Sequence, residues 1–168
     1  YIGAGSFSMC QNLKEVNVPD SVHYIGAGSF YGCDQLVKVH LSNSLTSIEP
    51  NTFELCQSLR EINIPKSLNI IKNDAFNRCY KLTDLLIENN SSLSLIGHYA
   101  FYCCYALKKI KIPASVKEIC NNCFYCCDHL ENVIFENNSS LYKIDEYALS
   151  SCNELTEISI PSSTTFIG

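Results

Sequence analysis

The side chains with the greatest chemical capacity in this 168-residue sequence are its eleven cysteines and four histidines. Cys120, Cys123, Cys126 and Cys127 crowd into the segment Cys-Asn-Asn-Cys-Phe-Tyr-Cys-Cys at 120–127. A C-x-x-C spacing brings two thiolates within reach of one tetrahedral ion, so the segment has the outline of a zinc knot. A cysteine nucleophile would instead need a base, and whether His23, His40, His98 or His129 serves depends on where the fold carries them. Two Asn-Asn-Ser-Ser runs hold overlapping glycan acceptor sequons at Asn89, Asn90, Asn137 and Asn138. Glycans there require secretion, and the same residue types equally make good turns.

What positions these residues is a repeat. Phe7, Phe30, Phe53, Phe76, Phe101, Phe124 and then Leu149 recur at intervals of 23 or 25 residues. Each is followed three residues on by a cysteine (Cys10, Cys33, Cys56, Cys79, Cys104, Cys127, Cys152) and six on by a leucine (Leu13 to Leu155). Next come apolar pairs at alternate positions, from Val16/Val18 to Ile158/Ile160. Period two with β-branched residues predicts a short strand in every repeat. A serine follows each strand, then an isoleucine slot running from Ile25 to Ile167, with Ile2 before it. In four repeats a proline (Pro19, Pro65, Pro113, Pro161) stops the strand. Both 25-residue spacings arise from two extra residues in the Glu-Asn-Asn-Ser-Ser turns at 88–92 and 136–140. Insertions in a loop are what a repeat tolerates.

A coil of this length cannot bury its apolar side alone, so coils must stack, with equivalent strands parallel at about 4.8 Å. Phe, Cys, Leu and Ile then form ladders, and each corner Ser is expected to bond backbone groups in its turn. This register recasts the chemistry. Seven cysteines become small apolar rungs. Cys123 falls in the inward slot of Ala75 and Ala100 and Cys120 at a corner, so the sequence predicts no metal site. The histidines occupy four different phases, and no catalytic pairing and no cofactor are expected. Cys103 and Cys126 share the position before the ladder cysteine in consecutive coils. Their predicted spacing of about 5 Å overlaps the range a disulfide needs.

A net charge of −5 without a Lys/Arg cluster leaves no footprint for nucleic acid. The longest apolar stretch, Ala100 to Leu107, is far short of the roughly 20 residues that span a bilayer. The chain opens inside a repeat, at Tyr1-Ile2-Gly3, so residues 1–168 read as one domain cut from a longer array.

The unit L-x-x-[IV]-x-[IV]-P-x-S-[VL]-x-x-I-G-x-x-A-F-x-x-C resembles the BspA-like leucine-rich repeats along the whole chain. Residues 107–127 show it with Cys120 in place of Gly and Cys123 in place of Ala. The resemblance implies an α/β repeat solenoid, a leucine-rich repeat stack of seven 23–25-residue coils with a parallel β-sheet on the concave face. It also implies a surface or secreted protein that adheres to host or matrix proteins, and it carries no catalytic residues.

Outward strand positions then offer a binding face. The row holding His40, Asn63, Leu86, Lys111 and Ile134, with the neighbouring row of Glu61, Asp84, Lys109 and Asn132, makes a mixed patch in the middle of the array. A rival patch is aromatic. Tyr102 and Tyr125 share one phase, Tyr80 and Tyr105 another, and Tyr99 lies close by, with short helical turns expected beneath them. The reading is thus a non-enzymatic protein-binding or adhesion module, with a host or matrix protein or a neighbouring chain of the same kind as partner. No small-molecule substrate is expected, and the location is the cell surface or secreted. The alternative is an intracellular, cytoplasmic scaffold assembled through coil ends.

Overall fold

The alternating apolar pairs form strands in six of the seven coils of the computed structural model, which describes residues 1–168. With strands numbered in chain order, these are β1 (Glu15–Asn17), β2 (Lys38–His40), β4 (Glu61–Ile64), β6 (Asp84–Ile87), β8 (Lys109–Ile112) and β10 (Asn132–Phe135). Exposed and buried residues alternate along them, as in β4 and β8. The isoleucine slots form a second set of two-residue strands: β3 (Ser47–Ile48), β5 (Ile70–Ile71), β7 (Leu95–Ile96), β9 (Glu118–Ile119), β11 (Lys143–Ile144) and β12 (Phe166–Ile167). They join in one six-stranded parallel sheet, β12-β11-β9-β7-β5-β3, in unbroken register. An Ile2–Ile25 bridge repeats the same pairing at the first two coils.

The long strands do not form one sheet. They divide into a four-stranded β1-β2-β4-β6 and a separate β10-β8 pair, and residues 157–160 of the last coil pair with nothing. Each break follows a coil with the two-residue insertion. In both insertions a glutamate takes the slot that proline fills in four other coils, and it reaches backward. Glu88 accepts from Asn63 Nδ2 at 3.0 Å and from the Lys66 amide at 3.2 Å. Glu136 accepts from Lys111 Nζ at 2.6 Å and from the Ala114 amide at 3.1 Å. Ser92 and Ser140 also donate their amides backward, to Lys66 O and Ala114 O. The longer coil is therefore pinned to its predecessor on the long-strand face, while its shorter successor has no strand pairing there and keeps register through the six-stranded sheet and the turn-side hydrogen bonds.

The helical turns expected between the isoleucine slot and the leucine are absent, and with them the α component of the fold: the chain has no helix. Every coil places two left-handed residues four apart around its phenylalanine, or around Leu149 in the last coil, such as Tyr99 (φ 56) and Cys103 (φ 56), or Asn122 (φ 55) and Cys126 (φ 55). Three residues between reversals are too few to propagate i→i−4 bonding. Instead the amides alternate. Tyr99, Phe101 and Cys103 donate to Asn121, Cys123 and Tyr125 of the next coil at 2.8–3.1 Å. Between them, Ala100, Tyr102 and Cys104 close turns on Gly97, Tyr99 and Phe101. The arc is thus a third hydrogen-bonded face, which offsets the cost of left-handed residues.

The core is the ladder. Successive phenylalanine rings from Phe7 to Phe124 stack with centroids 5.1–5.4 Å apart. Phe30 through Phe124 are fully buried, whereas Phe7 at the edge is 41% exposed.

Candidate protein-binding surface

Cys123 is fully buried in the alanine slot and Cys120 is nearly so at its corner. The ladder cysteines do more than fill space. Cys33, Cys56, Cys79, Cys104, Cys127 and Cys152 each donate S–H to the phenylalanine carbonyl of the preceding coil, at 3.1–3.4 Å. Burial pushes Cys33 and Cys152 up to about 11 and the interior rungs higher still, so these thiols stay protonated and unreactive. Of the seven corner serines, three bond the neighbouring coil through their hydroxyls rather than their own turn. Ser67 and Ser163 donate to Leu45 O and Leu141 O at 2.7 Å, and Ser115 to Leu93 O at 2.7 Å. His23, His98 and His129 are scattered; the last meets Glu154 at 2.7 Å on the surface.

The mixed rows do share one face, but the structure divides them. His40 faces Glu15 at 3.7 Å, Glu61 pairs with Lys38 at 3.0 Å, Asn63 with Glu88 and Lys111 with Glu136. These four are occupied within the chain. Lys109 and Asn132 have no side-chain partner, and Asp84 only accepts from its neighbour Thr83 Oγ1 at 2.8 Å. Leu86 and Ile134 are 57% and 47% exposed. All five lie beside the sheet breaks.

At the first break, between β6 and β8, Asp84, Leu86, Lys109 and Asn132 line a cleft of about 630 Å³ together with Lys108 and Glu131. Its backbone is unpaired as well. In the intact neighbour, Lys108 O accepts the Glu131 and Asn132 amides; at the break, Thr83 O receives no bond from Lys108 or Lys109. Ile134 borders a second hollow of about 430 Å³ with Lys111 and Glu136. Outward alternation identified the face, but Lys108, Glu131 and Thr83 as cleft walls were not anticipated. The signal for them was present in the 25-residue spacing, read above only as a tolerated loop insertion.

The tyrosines gather on the turn side. Tyr80–Tyr105 and Tyr102–Tyr125 stack at 5.1 and 5.3 Å, and Tyr99 tilts against Tyr102 at 5.7 Å. Only Tyr99 and Tyr105 are substantially exposed, so this patch is half-buried support for the arc as much as open surface. Asn89, Asn90, Asn137 and Asn138 are exposed, with Asn90 (φ 57) and Asn138 (φ 59) at the same left-handed turn position. The largest cavity, about 760 Å³, sits at the end of the stack among Ile144, Leu149, Leu155, Ile158 and Ile167. Those are ladder positions, so it is stacking surface rather than a ligand pocket. No helix is long and apolar enough to cross a membrane.

Among known proteins, residues 1–92 and 86–168 match the BspA type leucine rich repeat region in six copies. The chain is similar to the T. pallidum leucine rich repeat protein, at 30% identity and a TM-score of 0.84, over 93% of this chain and 71% of that one. A leucine rich cell surface protein from Faecalibacterium prausnitzii is 29% identical with a TM-score of 0.55, over 81% of this chain and 29% of that one. The pneumococcal vaccine antigen PcpA shares the fold at 21% identity and a TM-score of 0.58, over 90% of this chain and 51% of its own. No curated protein matches. With the repeat matched from end to end and the same coil in solved relatives, the chain belongs to the BspA type leucine rich repeat family.

Proposed function

We propose that this chain is a non-enzymatic adhesion module, displayed at the cell surface, that binds a protein partner on its long-strand face. The observation that carries the reading is the unpartnered group Asp84, Leu86, Lys109, Asn132 and Ile134 at the sheet breaks. There, exposed leucine and isoleucine sit beside charges of both signs that nothing in the chain neutralises. Apolar anchors surrounded by polar groups are how interfaces concentrate their energy. The surface location draws support from the F. prausnitzii relative, which is described as a cell surface protein.

The test is biosensor binding to a panel of immobilised extracellular-matrix proteins, comparing wild type with Leu86→Glu, Ile134→Glu and Lys109→Glu. A wild-type signal that falls by about tenfold or more in the leucine and isoleucine variants supports the reading, a loss typical of a central anchor. Binding that survives these changes but is lost in Tyr99→Ser or Tyr105→Ser would transfer the site to the tyrosine patch. No binding to any matrix protein, together with concentration-dependent self-association in sedimentation, favours the second reading, an intracellular scaffold.

A further inference from the structure

Four cysteines lie outside the ladder, and two of them occupy equivalent places in adjacent coils. Cys103 and Cys126 each follow a stacked tyrosine, Tyr102 and Tyr125, whose ring centroids are 5.3 Å apart. The phenylalanines one residue earlier, Phe101 and Phe124, are also 5.3 Å apart with parallel rings. The Cys103 amide donates to Tyr125 O at 2.9 Å, so the two turns are held in register up to the cysteines themselves. Matching φ values of 56 and 55 send both side chains off the backbone in the same sense. The hydrogen bond from the Cys103 amide places Cys103 opposite Cys126 in parallel register. That sets their Cα atoms roughly 5 Å apart, inside the range of about 4.4–6.8 Å that disulfides use, and forming the bond draws the parallel side chains together by roughly 1 Å.

Their hydrogen bonding separates them from the rungs. Ladder thiols donate S–H to a carbonyl and are fixed by it. The outer pair instead has hydroxyls beside it: Tyr105 beside Cys103, Ser151 and Tyr125 beside Cys126. Burial and the neighbouring Cys103 nonetheless hold the Cys126 thiol above its ordinary value, so the exchange runs faster at alkaline pH, where the thiolate that attacks a disulfide is more populated. Cys126 is partly exposed, while Cys103 lies just beneath it at 7% exposure. That order suits a sequential exchange in which the outer thiol meets the oxidant and the inner one resolves it.

We propose that Cys103 and Cys126 are a modification site, joined by an inter-coil disulfide when the protein meets a small-molecule disulfide such as oxidised glutathione. Cys126, after losing its proton, attacks one glutathione sulfur; the S–S bond of glutathione breaks and one glutathione leaves as its thiolate. Cys103, also deprotonated, then attacks Cys126 Sγ in the mixed disulfide and expels the second glutathione. Two electrons pass from the protein thiols to glutathione, and the two protons released end on the two glutathione thiols. The bond staples the coils that carry β8 and β10, the strand pair left between the two sheet breaks.

The experiment uses the whole chain in a Cys10→Ser background, so that the exposed first-coil thiol does not collect adducts. After equilibration with oxidised glutathione, the protein is denatured, alkylated and cut at Lys and Arg. The expected product is two fewer alkylated thiols, with peptides 82–108 and 118–143 linked and fragmentation placing the bond between Cys103 and Cys126. Oxidation should also raise the thermal midpoint, a shift lost in Cys103→Ser. Cys126→Ser should leave Cys103 alkylated, and Cys103→Ser should leave Cys126 as the glutathione adduct. The proposal is overturned if both thiols remain alkylated, if wild type stops at glutathione adducts, or if the link uses Cys104, Cys120, Cys123 or Cys127.

Discussion

At the scale of single residues, polar atoms bond between coils more than within them. Ladder thiols, three of the corner serines and insertion glutamates each satisfy a group in the neighbouring coil. Glu136 makes the clearest pH-dependent case. Its bond to the Lys111 ammonium, and then the Ala114 amide, hold the carboxyl below the usual glutamate value. A carboxylate depressed in the folded state stabilises the protein above its unfolded pKa of about 4.3, and the contribution is lost as pH falls through the folded value. Wild type should therefore exceed Glu136→Gln by up to about 1 kcal/mol in urea unfolding near neutral pH, the ceiling for a part-exposed pair. Repeating the melts in acid, below the folded pKa, should bring the two together; a gap independent of pH would place the contribution elsewhere.

At the scale of the coil, stability comes from contacts above and below. Phe76 stacks on two rings, those of Phe53 and Phe101, and is fully buried; Phe7 stacks on Phe30 alone with one face open. Phe76→Ala should cost roughly 3–5 kcal/mol through lost burial and the cavity left behind. Phe7→Ala should cost clearly less. Denaturant midpoints compare them directly, and equal losses would contradict a stack whose coils depend on their neighbours. How a coil turns was not legible. The repeat identifies which residues face inward, but Tyr99, Cys103, Arg78 or Ser151 give no compositional sign of a left-handed backbone, because the inter-coil hydrogen bonds impose it.

At the scale of the whole molecule, the solenoid is held unevenly. The six-stranded sheet runs from β3 to β12 without interruption, while the long-strand face is interrupted after each insertion. Local opening should follow that asymmetry, since amides without a partner have no bond to break before they exchange. The Lys108 and Lys109 amides should exchange at least about tenfold faster than those of Glu131 and Asn132, their equivalents one coil on. Hydrogen exchange read by NMR checks this. Matching protection at the two places would mean that β6 and β8 are joined in solution and that the cleft is closed. An interrupted sheet also concentrates the unpartnered side chains where the backbone is least committed, which is why the proposed contact surface lies there.

From the sequence alone came the number of coils, the identity of every ladder rung, the inward strand positions and the family. Each depends on a side chain recurring at a fixed interval, and burial makes that recurrence obligatory. The absence of helix, the division of the long-strand sheet and the choice of which outward residues remain free came only from the tertiary structure. Those features depend on relations between coils. Glu61 and Asp84 have similar chemistry in equivalent positions, and only the neighbour each one meets makes Glu61 an internal partner of Lys38 and leaves Asp84 facing a cleft.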